Sequence, residues 1–332
     1  MQLLDTSEDP QSATGPSSCS NKSPSDSRAF KFRRTESTTD GIVDRINVFP
    51  SRISVLPVEI LDNICQCLAQ DELISLLPTN KIFYAIAARR FYHTISLQGG
   101  RQSINFFQTI LHNPSIPPLV RSLSIDISNS YPLRIFYHLL QKVLQRLPAL
   151  IALFLDFPKS HSPLWIFDGC TFSLNSFTTS MYCTLPLAQF LDSQPSITDL
   201  TLRGFPSDDL SMLPFLDAPV SETPEKERFT LKPTSLPKLT HFSTIHAGVP
   251  VIQAVIKNRP VEVVSISLFP SCSIHALLAL KSSSVPMRKL TLISFDPEAP
   301  YFLFQVLSDG FAQLEALHVV FLMTEYTKVC QY

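Results

Sequence analysis

The side chains able to do chemistry are few and stand apart. Of the eight histidines, His241 and His246 lie closest together, and neither has a carboxylate or a cysteine beside it. The zinc-protease pattern His-Glu-x-x-His does not occur. The paired carboxylates Asp208-Asp209 read as a helix start, and Asp168-Gly169 reads as a turn. Among seven cysteines the one close pair is Cys65-Gln66-Cys67, and no Cys-x-x-Cys is present to hold zinc or run thioredoxin-like redox chemistry. Nucleophile-elbow, phosphate-loop and dinucleotide motifs are missing as well. The lone tryptophan, Trp165, reads as a packing residue. The expectation is a protein that is not an enzyme, with no catalytic residue, no metal and no cofactor.

Composition narrows the remaining classes. A formal net charge of −1 argues against nucleic acid as a partner, because phosphate binding calls for a basic stripe. Charged residues make up 17% of the chain, below the typical quarter or so, while 45% are hydrophobic. Most of the chain must therefore bury a core. The 27 prolines against 8 glycines predict many short elements, each stopped abruptly. No apolar run reaches the ~18 residues a membrane span requires. The opening Met1-Gln2-Leu3-Leu4-Asp5 is not a secretory signal. Scattered thiols suit a reducing compartment, so the expected location is cytoplasmic and/or nuclear.

The elements that must position any binding groups come next. Residues 1–50 are rich in Ser, Thr, Pro and Asp and read as a disordered tail, with Ser23-Pro24 and the basic run from Lys31 to Arg34 inside it. Order begins near Ile53. From Leu56 to Leu68 the pattern predicts a helix, with Pro57 in its first turn, Glu59 at its positive end, and Ile60, Leu61, Ile64, Cys65 and Leu68 as one stripe. Asp71 is the expected N-cap of a second helix carrying Leu73, Ile74, Leu76 and Leu77. Thr79 or Asn80 starts a third, through Phe83 to Tyr92. Three helices this short cannot enclose all their apolar groups, so some are expected to face a partner.

The ordered set Leu56-Pro57-x-Glu59-Ile60, Ile64, Leu68, Asp71-x-Leu73 and Asn80-Lys81-x-Phe83 resembles the F-box over roughly residues 53–97. Asn80 stands where the family has Cys, and Phe83 where it has Trp. The resemblance implies docking to a Skp-type adaptor and, through it, to a cullin-based ubiquitin ligase. It assigns that role to Leu56, Pro57, Glu59, Ile60, Ile64, Leu68, Leu73 and Phe83, which would face the adaptor or brace the helices that do.

The rest of the chain repeats a unit of apolar, two others, apolar, one other, apolar, mostly just after a proline. Copies stand at Val120/Leu123/Ile125, Leu150/Leu153/Leu155, Ile197/Leu200/Leu202, Leu239/Phe242/Thr244, Val261/Val264/Ile266, Met287/Leu290/Leu292 and Leu314/Leu317/Val319. Phe172-Ser173-Leu174 reads as a decayed copy. Helix-like segments precede the copies, so the unit is a strand plus a helix stacked side by side. This part is similar to the irregular leucine-rich repeats common in F-box proteins. It departs from them where Phe205, Phe269 and Phe295 replace the usual Asn or Cys, which predicts a phenylalanine spine in place of an amide ladder.

The expected architecture is thus α plus α/β: a tail at 1–50, a three-helix module at 51–97, and an irregular leucine-rich-repeat-like solenoid at 98–332 with a curved, mainly parallel sheet. Residues 206–235 read as an insert, and the apolar Val319-Val320-Phe321 end as an edge lacking a cap or covered by a partner. The residues flanking the strand leucines, among them Asp126, Phe154, Asp156, Thr201, Arg203, His241, Lys289 and His318, would meet an unknown client protein. The leading expectation is the substrate-recognition subunit of a ubiquitin ligase. The alternatives are a scaffold that binds the adaptor without ubiquitination, an enzyme of unrecognised type, and a repeat protein that binds no adaptor.

Overall fold

Three helices come first among the described residues: α1 (Val58–Cys67), α2 (Gln70–Leu76) and α3 (Lys81–His93). This computed structural model describes residues 56–158, 161–205, 228–270 and 272–322. The expected tail at 1–50, the Asp208-Asp209 pair and residues 206–227 of the expected insert lie outside them. Pro57 occupies the N-cap of α1, where its missing N–H costs the helix no bond. Asn80 caps α3, its side chain accepting from the Phe83 N–H at 2.9 Å. The second cap differs from expectation: α2 starts before Asp71, with Ala69 at the N-cap and its N–H donating to the Glu72 carboxylate at 2.8 Å. A carboxylate reaching back from the third helical residue satisfies the N–H of the N-cap itself, the half of a capping box that needs no polar cap side chain. Leu61, Cys65, Leu73, Ile86 and Ala87 form the small core of this module.

No linker separates the module from the sheet. His93 ends α3 and Thr94 begins β1 (Thr94–Gln98), which pairs in parallel with β2 (Ser122–Asp126). The expected module boundary at 97 therefore falls inside a strand. Tyr92, Ile95 and Leu97 carry the repeat spacing, but no proline announces them. Gly99, with φ of 79°, turns the chain from β1 into α4 (Gly100–His112), a helix buried through Phe106, Phe107 and Ile110.

The remaining strands are β3 (Ala152–Asp156), β4 (Ser176–Thr179), β5 (Asp199–Leu202), β6 (His241–Thr244), β7 (Val263–Leu268), β8 (Lys289–Ser294) and β9 (Ala316–Phe321). They form one nine-stranded sheet, wholly parallel and in sequence order. Return segments are α5 (Arg134–Leu144), a one-turn 3-10 helix at Leu164–Phe167, α6 (Leu185–Asp192), α7 (Val249–Ile256), α8 (Ser273–Leu280) and α9 (Ala299–Gly310). The fold is therefore mixed α/β. The repeated apolar positions fall into register: Leu123, Leu153, Phe177, Leu200, Phe242, Val264 and Leu290 stand side by side under the helices. Burial alternates along β2 to β5, so there one sheet face is sealed and the other is open. The decayed copy lies slightly later than expected, with Phe177 and not Phe172 in the strand, although both are buried.

Two close contacts set this packing. A Cβ at Gly204 would stand 1.8 Å from the Met181 carbonyl oxygen, so only glycine fits where the loop after β5 passes the one after β4. Part of the expected insert is core, not surface: Phe229 and Ser235 are buried, as is Leu236 just after it. Arg259 holds that return segment, donating to the carbonyls of Ser235 at 2.7 Å, Lys232 at 2.9 Å, Ala254 at 2.6 Å, Val255 at 3.1 Å and Lys257 at 3.2 Å. The carbonyls at the end of α7 lack helical partners, and the guanidinium supplies them. Asp192 completes the clamp by accepting from Ser235 Oγ and the Lys232 N–H. At the far end β9 is an edge strand, and its Leu317 is exposed.

Candidate interaction surfaces

The apolar stripe of α1 divides in two. Leu61 and Cys65 face inward and are 1% exposed. Leu56, Val58, Ile60 and Ile64 face outward and are 40–52% exposed. Residues four apart share a helix face, so Ile60 and Ile64 form a continuous outer patch, with Leu56 and Pro57 at its N-terminal end and Glu59 beside it. Leu73 is buried, and Leu68 and Phe83 are half-buried against the module core. Those three brace the helices, whereas Leu56, Pro57, Glu59, Ile60 and Ile64 are presented. Ile74, Ile82 and Tyr84 are exposed apolar residues of the same module that sequence reasoning did not assign to a partner. An ion pair fixes the helix carrying the patch: Arg89 approaches Asp62 at 2.8 Å and Arg90 approaches it at 3.5 Å. The Arg89 hydrogen bond, helped by Gln66, holds the Asp62 carboxyl below its ordinary pKa.

On the open sheet face, Phe154, Asp156 and Arg203 come together. The Arg203 guanidinium lies 5.1 Å from the Phe154 ring centroid and 3.5 Å from the Asp156 carboxylate. His241 pairs instead with Asp199 across adjacent strands at 3.4 Å. Asp126 is occupied locally, accepting from the Ser128 N–H and hydroxyl. Lys289 and His318 stand on β8 and β9 in different registers, away from the arginine cluster. The nominated row is therefore one cluster, one separate pair and scattered single groups. Thr201 belongs to a feature the sequence did not reveal. It lies in register with Ser96, Ser124, Thr178, Ser243, Ser265 and Thr291, a hydroxyl row interrupted at Phe154 and ended by His318.

The expected phenylalanine spine exists, with an added member. Phe269 and Phe295 stack at 5.1 Å with planes 1° apart. His246 stacks on Phe205 at 4.4 Å and reaches Phe269 at 6.1 Å. The repeat ending in Thr244 has no phenylalanine at the expected place, and the imidazole fills that rung. Rungs near the ~4.8 Å strand spacing tie successive loops together as stacked rings.

Among the described residues, no group of three or more His, Cys, Asp or Glu side chains is placed to hold a metal ion. Burial pushes the thiols of Cys170 and Cys183 up to about 12, which makes them poor nucleophiles. None of the described helices is long and apolar enough to cross a membrane. The sole tryptophan borders a cleft on the helix side of the sheet, between the 3-10 turn and α6. No protein-family model matches this chain, and no curated protein matches it.

Proposed function

We propose that this chain is the substrate receptor of a cullin-type ubiquitin ligase, an F-box protein with irregular leucine-rich repeats. One observation carries the proposal: Leu56, Ile60 and Ile64 remain outside a module whose core is already closed by Leu61, Cys65 and Leu73. Full burial of an aliphatic side chain contributes ~1.5–3 kcal/mol. A few half-exposed anchors acting together can offset an association cost of roughly 4–15 kcal/mol. Docking to a Skp-type adaptor gives this patch an occupant. The direct passage of α3 into β1 supports the second half of the proposal, since an adaptor held by the module would stand in a fixed relation to a client held by the sheet. Client capture is assigned to the open sheet face, with Phe154, Asp156 and Arg203 at its centre.

The test is a pull-down of the purified chain with a Skp-type adaptor, beside a Leu56→Ala, Ile60→Ala double variant whose fold is checked by circular dichroism. Retention of wild type and loss of the folded variant is the expected result. A wild type that does not bind the adaptor overturns the proposal. Adaptor binding without recruitment of a cullin would make the chain a scaffold and not a ligase subunit.

A further inference from the structure

The segment between β3 and β4 returns through one turn of 3-10 helix where the flanking repeats use α5 and α6. That shortfall leaves a cleft of about 900 Å³, lined by Leu164, Trp165, Phe167, Pro186 and Phe190. Its volume lies in the range of ligand clefts, and its walls mix aromatic and polar side chains. Phe167 and Phe190 stack at 3.9 Å with planes 14° apart, which makes a rigid aromatic wall. Trp165 is braced from outside the cleft by His138, 4.5 Å away.

Two polar groups complete the site. Asp168 is the only charged residue among the described residues that line it. Its carboxylate forms no ion pair or hydrogen bond among them; its backbone carbonyl accepts from Gln145 at 2.8 Å and its N–H donates to the Trp165 carbonyl at 3.1 Å. Ser162 Oγ, also in the lining, is buried and has no hydrogen-bond partner. Aromatic faces attract cations through the ring quadrupole, and an unpaired carboxylate adds direct attraction. The same surroundings repel a carboxylate or phosphate.

We propose that this cleft binds an arginine side chain of an extended peptide segment, with the guanidinium between the aromatic wall and Asp168 and a donor directed at Ser162 Oγ. Arginine fits better than lysine, because its planar fork stacks on rings while donating to two acceptors at once. The site lies on the helix side of the sheet and does not depend on the adaptor-docking proposal.

Trp165, the only tryptophan in the chain, reports directly on occupancy. The experiment titrates the full chain with acetyl-Gly-Arg-Gly-amide and follows tryptophan emission, beside the uncharged citrulline analogue. A saturable change is expected with the arginine peptide, with the citrulline peptide about tenfold weaker. Asp168→Asn is expected to weaken the arginine peptide by a similar factor at an unchanged melting temperature, since that side chain is exposed and supports nothing else. Ser162→Ala is expected to weaken it further. No saturable response to the arginine peptide, an equal response to citrulline, or an Asp168→Asn protein that binds as wild type would each overturn the proposal. Adaptor pull-down on the same preparations separates failure here from failure of the ligase proposal.

Discussion

The Arg203 guanidinium reaches across β4 to stand 3.5 Å from the Asp156 carboxylate, joining the ends of two strands that are not neighbours in the sheet. Strands two apart are separated by roughly 9–10 Å, a gap that arginine spans and most side chains do not. The chain between them permits this because the register, continued one residue past β4, places the small Ser180 level with both. Both partners keep water contact, with side chains 40% and 22% exposed, so the pair is worth little to stability.

That weakness makes the pair a clean test of client recognition. Exchanging the charges by Asp156→Arg with Arg203→Asp should shift unfolding free energy by less than about 1 kcal/mol. Client capture should be lost, because the polarity presented to a partner is inverted. Chemical denaturation and a client pull-down on the same protein measure the two effects. Undiminished capture would move the client site off this cluster.

The two halves of the α1 stripe should respond unequally. Ile60→Ala with Ile64→Ala removes only half-exposed groups and should lower stability by about 1 kcal/mol or less. Leu61→Ala opens a cavity in the module core and should cost about 2–4 kcal/mol. Local hydrogen exchange in α1 to α3 distinguishes them, since the sheet can remain folded when the module loosens.

Arg259 should be among the most sensitive positions of the sheet domain. Burial lowers its pKa while Asp192 opposes that shift. Five carbonyls depend on its donors. Arg259→Met keeps the apolar stem but leaves those carbonyls without partners, and should cost about 3 kcal/mol. The denaturant midpoint should fall with an unchanged slope; a loss under about 1 kcal/mol would mean that water replaces the guanidinium freely.

Stability should fall at alkaline pH. Burial raises the Cys170 and Cys183 thiols from 9.0 to about 12, and the Tyr137 phenol from 10.0 to about 12. Between those limits the folded chain keeps protons that the unfolded chain releases. The contribution is therefore complete below pH 9 and declines as pH rises towards 12. Urea midpoints measured across this window should drop, and a Cys183→Val variant should drop less steeply. A flat profile would show that these groups titrate freely in the folded state.

Several features were legible because they are local. Asn80 caps α3 as expected, and Leu123, Leu153 and Leu200 point inward because the strand period sends alternate residues to one face. Three rungs of the aromatic spine were visible as Phe205, Phe269 and Phe295. The fourth, His246, was not, since it stands one residue out of the pattern. Strand β1 was hidden for a related reason, as its Ile95 and Leu97 follow a helix directly, with Tyr92 still inside that helix, and carry no proline signal.

The sequence by itself determined the strand–helix alternation, the inward residues of most strands and the order of the units. Tertiary structure alone decided which residues of α1 stay outside, that Arg203 meets Asp156 and not a neighbour on its own strand, and that a one-turn return segment leaves a cleft beside Trp165. The physical reason is that periodicity is a property of one element. Lateral contact depends on the register between strands and on the bulk of what lies between them, and neither is written in any single stretch of chain.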